Sequence, residues 1–464
     1  MRIRLINPLV DKKAIYGRFH RIGGLLPPLG LAYVAAVLER EGHDVDILDA
    51  NALGIANKAA SRLVGRMRPD LVGITATTPS YYIALDLATE CKKTMPEVPI
   101  ILGGPHVIEQ ARDILAEACF DYAVFGEGER TMADLAKSLE DGQDLSGVTG
   151  LAYKQDGTRH VNSTRGYLPD LDSLPFPSRH LLPSLDVYRP KAVDYIRLPA
   201  TQMLTSRGCP YRCVFCRTSF GKQVRFHSPD YVLAEIEHLV KDYGVREVKI
   251  NDDTFIVNRQ RVMDICEGLL RRKLDVVWSC NVRADLVDKE LLTLMRQSGC
   301  WEVAMGLESG SQTILDNLKK GTTVEQGEKA CRLAYALGFS VRPSFIIGSP
   351  GETLQTIERT IAFAKSLPVH FPSFTLMTPF PGTELWERAS EYGSFDGSDL
   401  SSLTVGGKAS FVPHGLDAET MEKKAREAYR RVYLNPAMVW RHLKRLRTPK
   451  DVKTIFDGLA GLLG

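Results

Sequence analysis

The sequence predicts an α/β protein with two successive domains built on parallel sheets and a small helical region after them. Three observations predict this fold class. Short apolar segments alternate with amphipathic helical segments over residues 1–145, the same alternation resumes over 196–390, and a stretch rich in proline and serine separates the two series. Such alternation is typical of parallel sheets with helices on both faces. We therefore expect four regions, the other two being a linker over 146–195 and a helical region over 391–464.

The first series contains five predicted strands, and each is short and nearly continuous in apolar residues, as buried parallel strands are. The strands are RIRLINP, DVDILDA, LVGITATT, VPIILGGP and DYAVFGEGE, with helical segments such as LGLAYVAAVLEREGH between them. Residues 1–145 are therefore expected to form a doubly wound, Rossmann-like domain. The segment YLPDLDSLPFPSRHLLPS breaks this rhythm and indicates a connecting segment on the surface.

The second series contains six predicted strands, which are fewer than the eight of a closed barrel. They are TQMLTSR, EVKINDD, VVWSCNV, WEVAMGLES, VRPSFIIGS and SFTLMTP. An open, partial (βα)₆ barrel is the expected architecture of residues 196–390. In barrels of this kind the chemistry takes place in the loops at the carboxyl ends of the strands.

The C-terminal region is rich in basic residues, with only Glu422 and Glu427 against them over residues 421–450. The basic residues are Lys423, Lys424, Arg426, Arg430, Arg431, Arg441, Lys444, Arg445, Arg447 and Lys450. The interpretation we favour is a solvated helical face. The alternative is a surface that meets an anionic or membrane-derived substrate.

Composition narrows the function classes. A chain of 464 residues with 44% hydrophobic and 25% charged residues is typical of a globular protein, and a net charge of +3 is too small to indicate nucleic-acid binding. The sequence predicts no transmembrane segment, and its start lacks the long apolar region of a signal peptide. We therefore expect a cytoplasmic protein with reduced thiols. Six scattered cysteines are expected to be buried and structural: Cys91, Cys119, Cys266, Cys280, Cys300 and Cys331.

The other three cysteines, Cys209, Cys213 and Cys216, lie within eight residues in the segment SRGCPYRCVFCRTSF, directly after the first predicted strand of the barrel. Thiolates hold iron–sulfur clusters, and three of them leave one iron of a four-iron cluster open. A structural zinc site would need a fourth ligand, and the nearest candidate, His227, lies outside the loop. Coincidental clustering of structural cysteines is the remaining alternative.

The motif Cys209-x₃-Cys213-x₂-Cys216, with Phe215 before its last cysteine, resembles that of the radical S-adenosylmethionine (SAM) enzymes. The resemblance covers residues 196–390 and implies a 4Fe-4S cluster on the three cysteines. It also implies that the open iron binds SAM and that reduction splits SAM into methionine and a 5′-deoxyadenosyl radical. An electron donor such as flavodoxin or ferredoxin would then be a partner.

The same resemblance implies SAM contacts at Phe215 in the motif and, at the ends of four later strands, at Asp252, Asp253, Arg283, Glu308 and Gly348. Asp252 or Asp253 would hold the amino group, although the usual Gly-Gly-Glu form is absent. Arg283 would pair with the carboxylate, and Glu308 would contact the ribose or the amino group. Gly348 would let the backbone approach the adenine. The alternatives are helix caps for the three acidic residues and a surface ion pair for Arg283.

The strand ends of the first domain carry glycines and hydroxyl, amide and carboxylate groups suited to a ligand: Asn7, Thr75, Thr77, Ser80, Gly103, Gly104, Gly126 and Glu127. No G-x-G-x-x-G follows the first strand, which argues against a dinucleotide. The segments PPLGLAYVAAVLEREGHDVDILDA, ILGGPH and FGEGE resemble the cobalamin-binding domain of B12-dependent radical SAM enzymes. This resemblance implies that cobalamin is held by the eight residues.

This domain has no Asp-x-His-x-x-Gly motif, so no lower axial histidine is marked, and His20, His43 and His106 are expected to be ordinary polar residues. A degenerate domain without cobalamin is the alternative.

The two resemblances together imply a B12-dependent radical SAM methyltransferase that methylates an unactivated carbon of a small-molecule or lipid-like substrate. The alternative enzyme is a non-methylating one, such as the anaerobic Mg-protoporphyrin ester cyclase. A non-catalytic sensor is the third hypothesis, but it would need a DNA-binding or signalling module, and the sequence shows none. The sequence marks no catalytic acid or base.

Overall fold

The computed structural model describes residues 1–11, 23–191, 193–404 and 408–444. His20, Arg445, Arg447 and Lys450 lie outside the described residues. The chain forms two compact units, the first made of residues 1–11 and 26–188, and the second of the described residues in 12–25 and 189–464.

The first unit is a doubly wound α/β domain. Its elements are β1 (Arg2–Asn7), α1 (Leu29–Arg40), β2 (Asp44–Asp49), α2 (Ala50–Leu53), α3 (Asn57–Arg66), β3 (Leu71–Thr75), α4 (Tyr81–Thr94), β4 (Ile100–Gly103), α5 (Val107–Ile114), β5 (Tyr122–Val124), α6 (Gly128–Asp141), β6 (Leu151–Gln155) and β7 (Thr158–Val161). The sheet order is β2-β1-β3-β4-β5-β6-β7, with β1 to β5 parallel. The five predicted strands and the Rossmann-like class are confirmed.

The last two strands of this sheet were not predicted. Strands β6 and β7 lie where we placed the linker, and both pair antiparallel at the sheet edge. Asp156 and Gly157 join them with positive φ angles of 50° and 74°, which suit a tight hairpin turn. The first unit therefore extends beyond residue 145.

The second unit contains an all-parallel sheet of six strands. Its elements are β8 (Ala200–Met203), β9 (Ser206–Arg207), β10 (Arg225–Phe226), α7 (Pro229–Tyr243), β11 (Glu247–Ile250), α8 (Arg259–Arg272), β12 (Val277–Val282), α9 (Lys289–Gln297), β13 (Cys300–Glu308), α10 (Gln312–Asn317), α11 (Val324–Ala336), β14 (Ser340–Ile347), α12 (Leu354–Ser366) and β15 (Ser373–Leu376). The order β15-β14-β13-β12-β11-β8 follows the chain, as in a barrel that does not close. The six predicted strands and the partial barrel are confirmed.

After the barrel, the chain adds α13 (Glu384–Glu387), α14 (Ala389–Tyr392), β16 (Gly393–Phe395), β17 (Phe411–Pro413), α15 (Ala418–Tyr433) and α16 (Pro436–Leu443). Strands β16 and β17 form an antiparallel pair in a region where we predicted helices alone. Within the described ranges, no helix is both long enough and apolar enough to cross a bilayer.

Candidate functional site

The cysteine loop leaves the barrel after β9, and backbone hydrogen bonds close its base. Gly208 has a φ of 95°, and a Cβ atom there would lie 2.4 Å from the carbonyl oxygen of Gln223. The Cys209 amide donates to the Gly221 carbonyl at 3.1 Å. Glycine is therefore required at position 208 because only a residue without Cβ allows this conformation and this close approach.

The middle of the loop is anchored by a buried side chain between two cysteines. Val214 is 4% exposed and lies in a cluster with Leu318 and Met377, against which Phe215 also packs. The Val214 amide donates to the Leu318 carbonyl at 3.1 Å. Burial of Val214 and this backbone hydrogen bond hold the middle of the loop against the barrel.

The three cysteines are free thiols; Cys209 and Cys213 are partly exposed, and Cys216 is exposed. The Cys209 sulfur lies 3.7 Å from the hydroxyl of Thr254. In the described parts of the chain, no three Cys, His, Asp or Glu side chains converge on one metal-ion position. A four-iron cluster does not require such convergence, because each thiolate binds a separate iron. Three thiols on one anchored loop fit the cluster.

Asp252 holds the chain segment that leads into the cysteine loop. Its carboxylate is completely buried and accepts hydrogen bonds of 2.6 Å from the Thr205 amide, the Thr205 hydroxyl and the Ser206 hydroxyl. Burial raises the pKa of Asp252, and these hydrogen bonds oppose the rise. All three hydrogen bonds come from the segment that precedes the cysteine loop, whereas the sequence resemblance implied a contact with SAM.

Asp253 and Arg283 have different surroundings. Asp253 is exposed and accepts a hydrogen bond from the Thr218 hydroxyl of the cysteine loop. Arg283 is buried, and its guanidinium carbon lies 3.4 Å from the centre of the Tyr211 ring. Arg283 also pairs with Asp285 at 3.0 Å. Stacking on a loop aromatic fixes the guanidinium beside the cysteines.

Glu308 ends β13 in a left-handed conformation with a φ of 63°. Its carboxylate is buried and pairs with the Lys320 ammonium at 2.7 Å. A Cβ atom at Gly306 would lie 2.3 Å from this carboxylate and 2.9 Å from this ammonium. Glycine in AMGLESG therefore makes room for a buried ion pair.

Lys320 connects this ion pair to Arg283, since the Lys320 carbonyl accepts a hydrogen bond of 2.9 Å from the Arg283 guanidinium. Burial raises the pKa of the Cys213 thiol, while the positive charges of Lys320 and Arg283 lower it. We call Arg283, Glu308 and Lys320 the charged cluster. It provides paired positive and negative groups beside the cysteine loop.

Gly348 follows β14 with a φ of 90°, and a Cβ atom there would lie 2.2 Å from the Met421 methyl group. Its amide and that of Ser349 donate to the Glu352 carboxylate at 2.5 Å and 3.0 Å. Glu352 is completely buried, and burial raises its pKa to about 7. The buried Glu352 carboxyl group thus holds the turn after β14 in place.

Sequence reasoning missed Tyr211, Lys320 and Glu352. Lys320 follows helix α10 rather than a strand, so the search at strand ends passed over it. Tyr211 lies inside the motif, but nothing in the spacing of the cysteines singles it out. Glu352 could have been noticed as an acidic residue four positions after a glycine turn.

In the first unit, the ends of β3 and β4 meet in a tight contact. Gly104 has a φ of 95°, and a Cβ atom there would lie 2.7 Å from both the Ala76 carbonyl and the Thr75 hydroxyl. The Ala76 amide donates to the Gly103 carbonyl at 2.9 Å. Thr75, Gly103 and Gly104 are therefore brought together.

The hydroxyl loop after β3 is held by its own side chains. The Thr77 amide donates to the Ser80 hydroxyl at 2.9 Å, and the Thr77 side chain is exposed. His106 is buried, and its ring centre lies 4.4 Å from that of Tyr81. Burial lowers the pKa of His106 to about 4, so this imidazole is neutral at pH 7.

Asn7 and Glu127 are engaged elsewhere in the first unit. The Asn7 amide donates to Asp49 at 2.9 Å, and the Tyr188 hydroxyl donates to the same carboxylate at 2.6 Å. Glu127 is buried and accepts from the Leu168 amide at 2.7 Å. Gly126, with a φ of 80°, is exposed before it.

Two protein families match parts of the chain: the B12 binding domain over residues 17–136 and the radical SAM superfamily over 203–364. An uncharacterised methyltransferase of Pyrococcus horikoshii is 37% identical, with the match covering 90% of each chain. The chain belongs to the cobalamin-dependent radical SAM family. The anaerobic magnesium-protoporphyrin IX monomethyl ester cyclase of Rubrivivax gelatinosus is 30% identical over 95% of this chain and 78% of the cyclase.

A solved structure of the radical SAM methyltransferase TsrM from Kitasatospora setae shares the fold. Its TM-score is 0.73 at 20% identity, with coverage of 92% of this chain and 88% of that one. The two family matches and the methyltransferase relative show that this cobalamin-dependent radical SAM protein is an enzyme whose cofactors are a 4Fe-4S cluster, SAM and cobalamin.

Proposed function

We propose that this enzyme methylates an unactivated carbon of its substrate. The observation that carries the proposal is the 37% identity to a methyltransferase over 90% of both chains, together with matches to both cofactor-binding domains. The substrate is a small molecule or a lipid-like compound. When bound, SAM and the cluster supply a radical that removes hydrogen from that carbon, and cobalamin supplies the methyl group.

We assign the cluster to Cys209, Cys213 and Cys216. The charged cluster is suited to SAM because SAM carries a carboxylate, an ammonium and a sulfonium. The buried cations Arg283 and Lys320 would attract the carboxylate, and Glu308 would attract the positive groups. We also assign Phe215, Asp253 and Gly348 to the SAM site, as the sequence resemblance implies, whereas we assign Asp252 to positioning the loop.

We assign cobalamin to the strand ends of the first unit. Thr75, Gly103 and Gly104 form a compact rim without a side chain larger than threonine, so a large ring can approach the backbone. Thr77, Ser80 and Gly126 extend this rim with hydroxyl and backbone groups. Asn7 and Glu127 support it through Asp49 and the Leu168 amide.

The partners and the compartment belong to the same proposal. All nine cysteines are free thiols, which suits a reducing compartment such as the cytoplasm. Reductive cleavage of SAM needs one electron at a time, and we propose a small carrier such as flavodoxin or ferredoxin as the donor.

A second candidate is a non-methylating reaction with the same cofactors, such as an oxidative cyclisation. It is favoured by the 30% identity to a cyclase over 95% of this chain. The two candidates differ in their products. Methylation releases S-adenosylhomocysteine from one SAM and 5′-deoxyadenosine from another, whereas the alternative releases no S-adenosylhomocysteine.

The test is an anaerobic incubation of the reconstituted enzyme with hydroxocobalamin, SAM and titanium(III) citrate. Methyl transfer from SAM to reduced cobalamin requires no substrate. We therefore expect about one equivalent of S-adenosylhomocysteine per enzyme chain, and none when hydroxocobalamin is omitted. Absence of this product at full cofactor occupancy would favour the cyclase-type reaction.

A further inference from the structure

Helix α16 exposes an apolar stripe that the described part of the chain does not cover. Val439, Trp440 and Leu443 are 41%, 59% and 50% exposed, and Pro436 at the start of the helix is also exposed. Val439, Trp440 and Leu443 follow Pro436 by three, four and seven residues, so all four lie on one face of the helix. A tryptophan this exposed is unusual because its burial would remove a large apolar area from water.

The opposite face of α16 packs against the protein. Met438 is 1% exposed, and the His442 ring lies 5.1 Å from the Phe371 ring and 5.9 Å from the Tyr433 ring. These contacts hold the helix in place, and among the described residues the stripe stays exposed on another face. Leu434, which is 51% exposed, precedes the helix and adds to the apolar area.

The sequence around the stripe is strongly basic. From residue 428 to residue 450 the sequence contains seven Lys or Arg residues and no Asp or Glu. The Lys444 ammonium lies 5.1 Å from the centre of the Trp440 ring. On the preceding helix α15, Lys423, Arg426 and Arg430 are exposed at helical spacing.

Some of the basic residues of helix α15 are neutralised by acidic partners within the protein. Lys424 and Arg431 are held in ion pairs with Glu358 and Glu427. Arg426 pairs with Glu422 at 3.8 Å. The segment 432–444, which contains the stripe, has Arg441 and Lys444 and no Asp or Glu.

We propose that α16 docks the enzyme on an anionic phospholipid surface. A short helix with tryptophan and leucine on one face and basic residues beside them is the pattern of interfacial helices. Tryptophan is favoured at the level of the lipid headgroups, and lysine and arginine are attracted to anionic lipids. A nucleic acid would match the charge but leave the apolar stripe in water.

The proposal concerns where the enzyme is held and is independent of the methylation proposed above. It is tested on the full chain with its cofactors by co-sedimentation with vesicles of phosphatidylcholine alone or with about one third phosphatidylglycerol. We expect binding to the mixed vesicles, at least tenfold weaker binding to phosphatidylcholine, and weakening by high salt. Equal binding to both vesicles, or binding to neither, would overturn the proposal.

Variants locate the contact. Trp440→Ser and Leu443→Ser should each weaken binding to the mixed vesicles about tenfold or more. Lys444→Gln should weaken it about fivefold. Leu270→Ser is the matched control, because Leu270 is 41% exposed on helix α8 of the barrel, and it should bind like the parent enzyme.

Self-association is the competing outcome. The oligomeric state of the parent enzyme and of Trp440→Ser is measured by sedimentation velocity. One outcome is that the parent enzyme is a dimer that does not bind vesicles and that Trp440→Ser is a monomer. The stripe would then be an interface between two copies, and the proposal would be wrong. Unchanged vesicle binding by both Trp440→Ser and Leu443→Ser would also contradict it.

Discussion

The two units carry different polar groups near the carboxyl ends of their parallel strands. In the barrel, buried charges contact one another there, such as Glu308 at the end of β13 with Lys320 at 2.7 Å. In the first unit they are glycines and hydroxyls, such as Gly104 against Thr75. We interpret this difference as suiting the barrel to a small, highly charged ligand and the first sheet to a large ligand that approaches the backbone.

The largest expected effect separates the two sites. Cys213→Ala should lose the iron–sulfur cluster and lower the release of 5′-deoxyadenosine more than a thousandfold, because two thiolates do not hold a four-iron cluster. Retention of hydroxocobalamin should be unchanged. Iron analysis, the visible spectrum and product assay measure these effects.

Cys331→Ala is the control for that variant, since Cys331 is completely buried in helix α11 and belongs to the scattered group. It should keep its iron. A Cys213→Ala protein with a full cluster would overturn the assignment of the loop.

The charged cluster is tested next. Lys320→Met leaves the Glu308 carboxylate buried without its partner, and an unpaired buried charge costs about 3–5 kcal/mol. We expect SAM affinity to fall more than a hundredfold, with partial rescue by Lys320→Arg. Equilibrium dialysis with SAM measures the affinity, and circular dichroism verifies the fold.

The neighbouring lysine offers a matched control. Lys319 pairs with Glu384 at the surface, where its side chain is 54% exposed. Exposed ion pairs contribute about 0–1 kcal/mol, so Lys319→Met should bind SAM nearly as the parent does. Equal losses in the two variants would contradict a specific role for the charged cluster.

A pair of glycines tests the rim of the first unit. Gly104 and Gly126 have φ angles of 95° and 80°, but only Gly104 has atoms within 3 Å of the position of a Cβ atom. Gly126→Ala should cost about 1 kcal/mol from backbone conformation alone. Gly104→Ala should cost more and lower cobalamin affinity about tenfold or further. Cobalamin titration and thermal melts measure both, and equal losses would contradict the rim.

The smallest effects are opposite responses to pH. His106 has its pKa lowered from 6.5 to about 4, so the folded state loses stability as pH falls from 6.5 towards 4. Glu352 has its pKa raised from 4.5 to about 7, so its contribution is complete below pH 4.5 and is lost as pH rises to about 7. His106→Gln and Glu352→Gln should therefore change the slope of Tm against pH in opposite senses. If both variants changed the slope of Tm against pH in the same sense, the ionisation assigned to one of the two groups would be wrong.

The sequence predicted the strands because buried parallel strands are apolar and regularly spaced. It also predicted the cysteine loop, because a motif with short spacers is local. Strands β6 and β7 were missed although Asp156 and Gly157 form a typical hairpin turn. Their segments are short and partly polar, and the prolines that follow favoured a linker.

Contacts between distant residues could not be predicted in the same way. Asp252 reaches Thr205 across 47 residues, and Lys320 reaches Glu308 from the end of a helix. The first contact depends on the pairing of β8 with β11, and the second on the path of the chain after β13. Sequence spacing within one segment carries no information on such an arrangement.

The central claim is that each of the two units holds its own cofactor, and the most direct measurement is the cofactor content of the intact chain. The protein is purified without oxygen, its cluster is reconstituted, hydroxocobalamin is added, and free cofactors are removed. Iron analysis and the visible spectrum should then give about four irons and one corrin per chain. A chain that keeps its iron but retains no corrin would contradict the account.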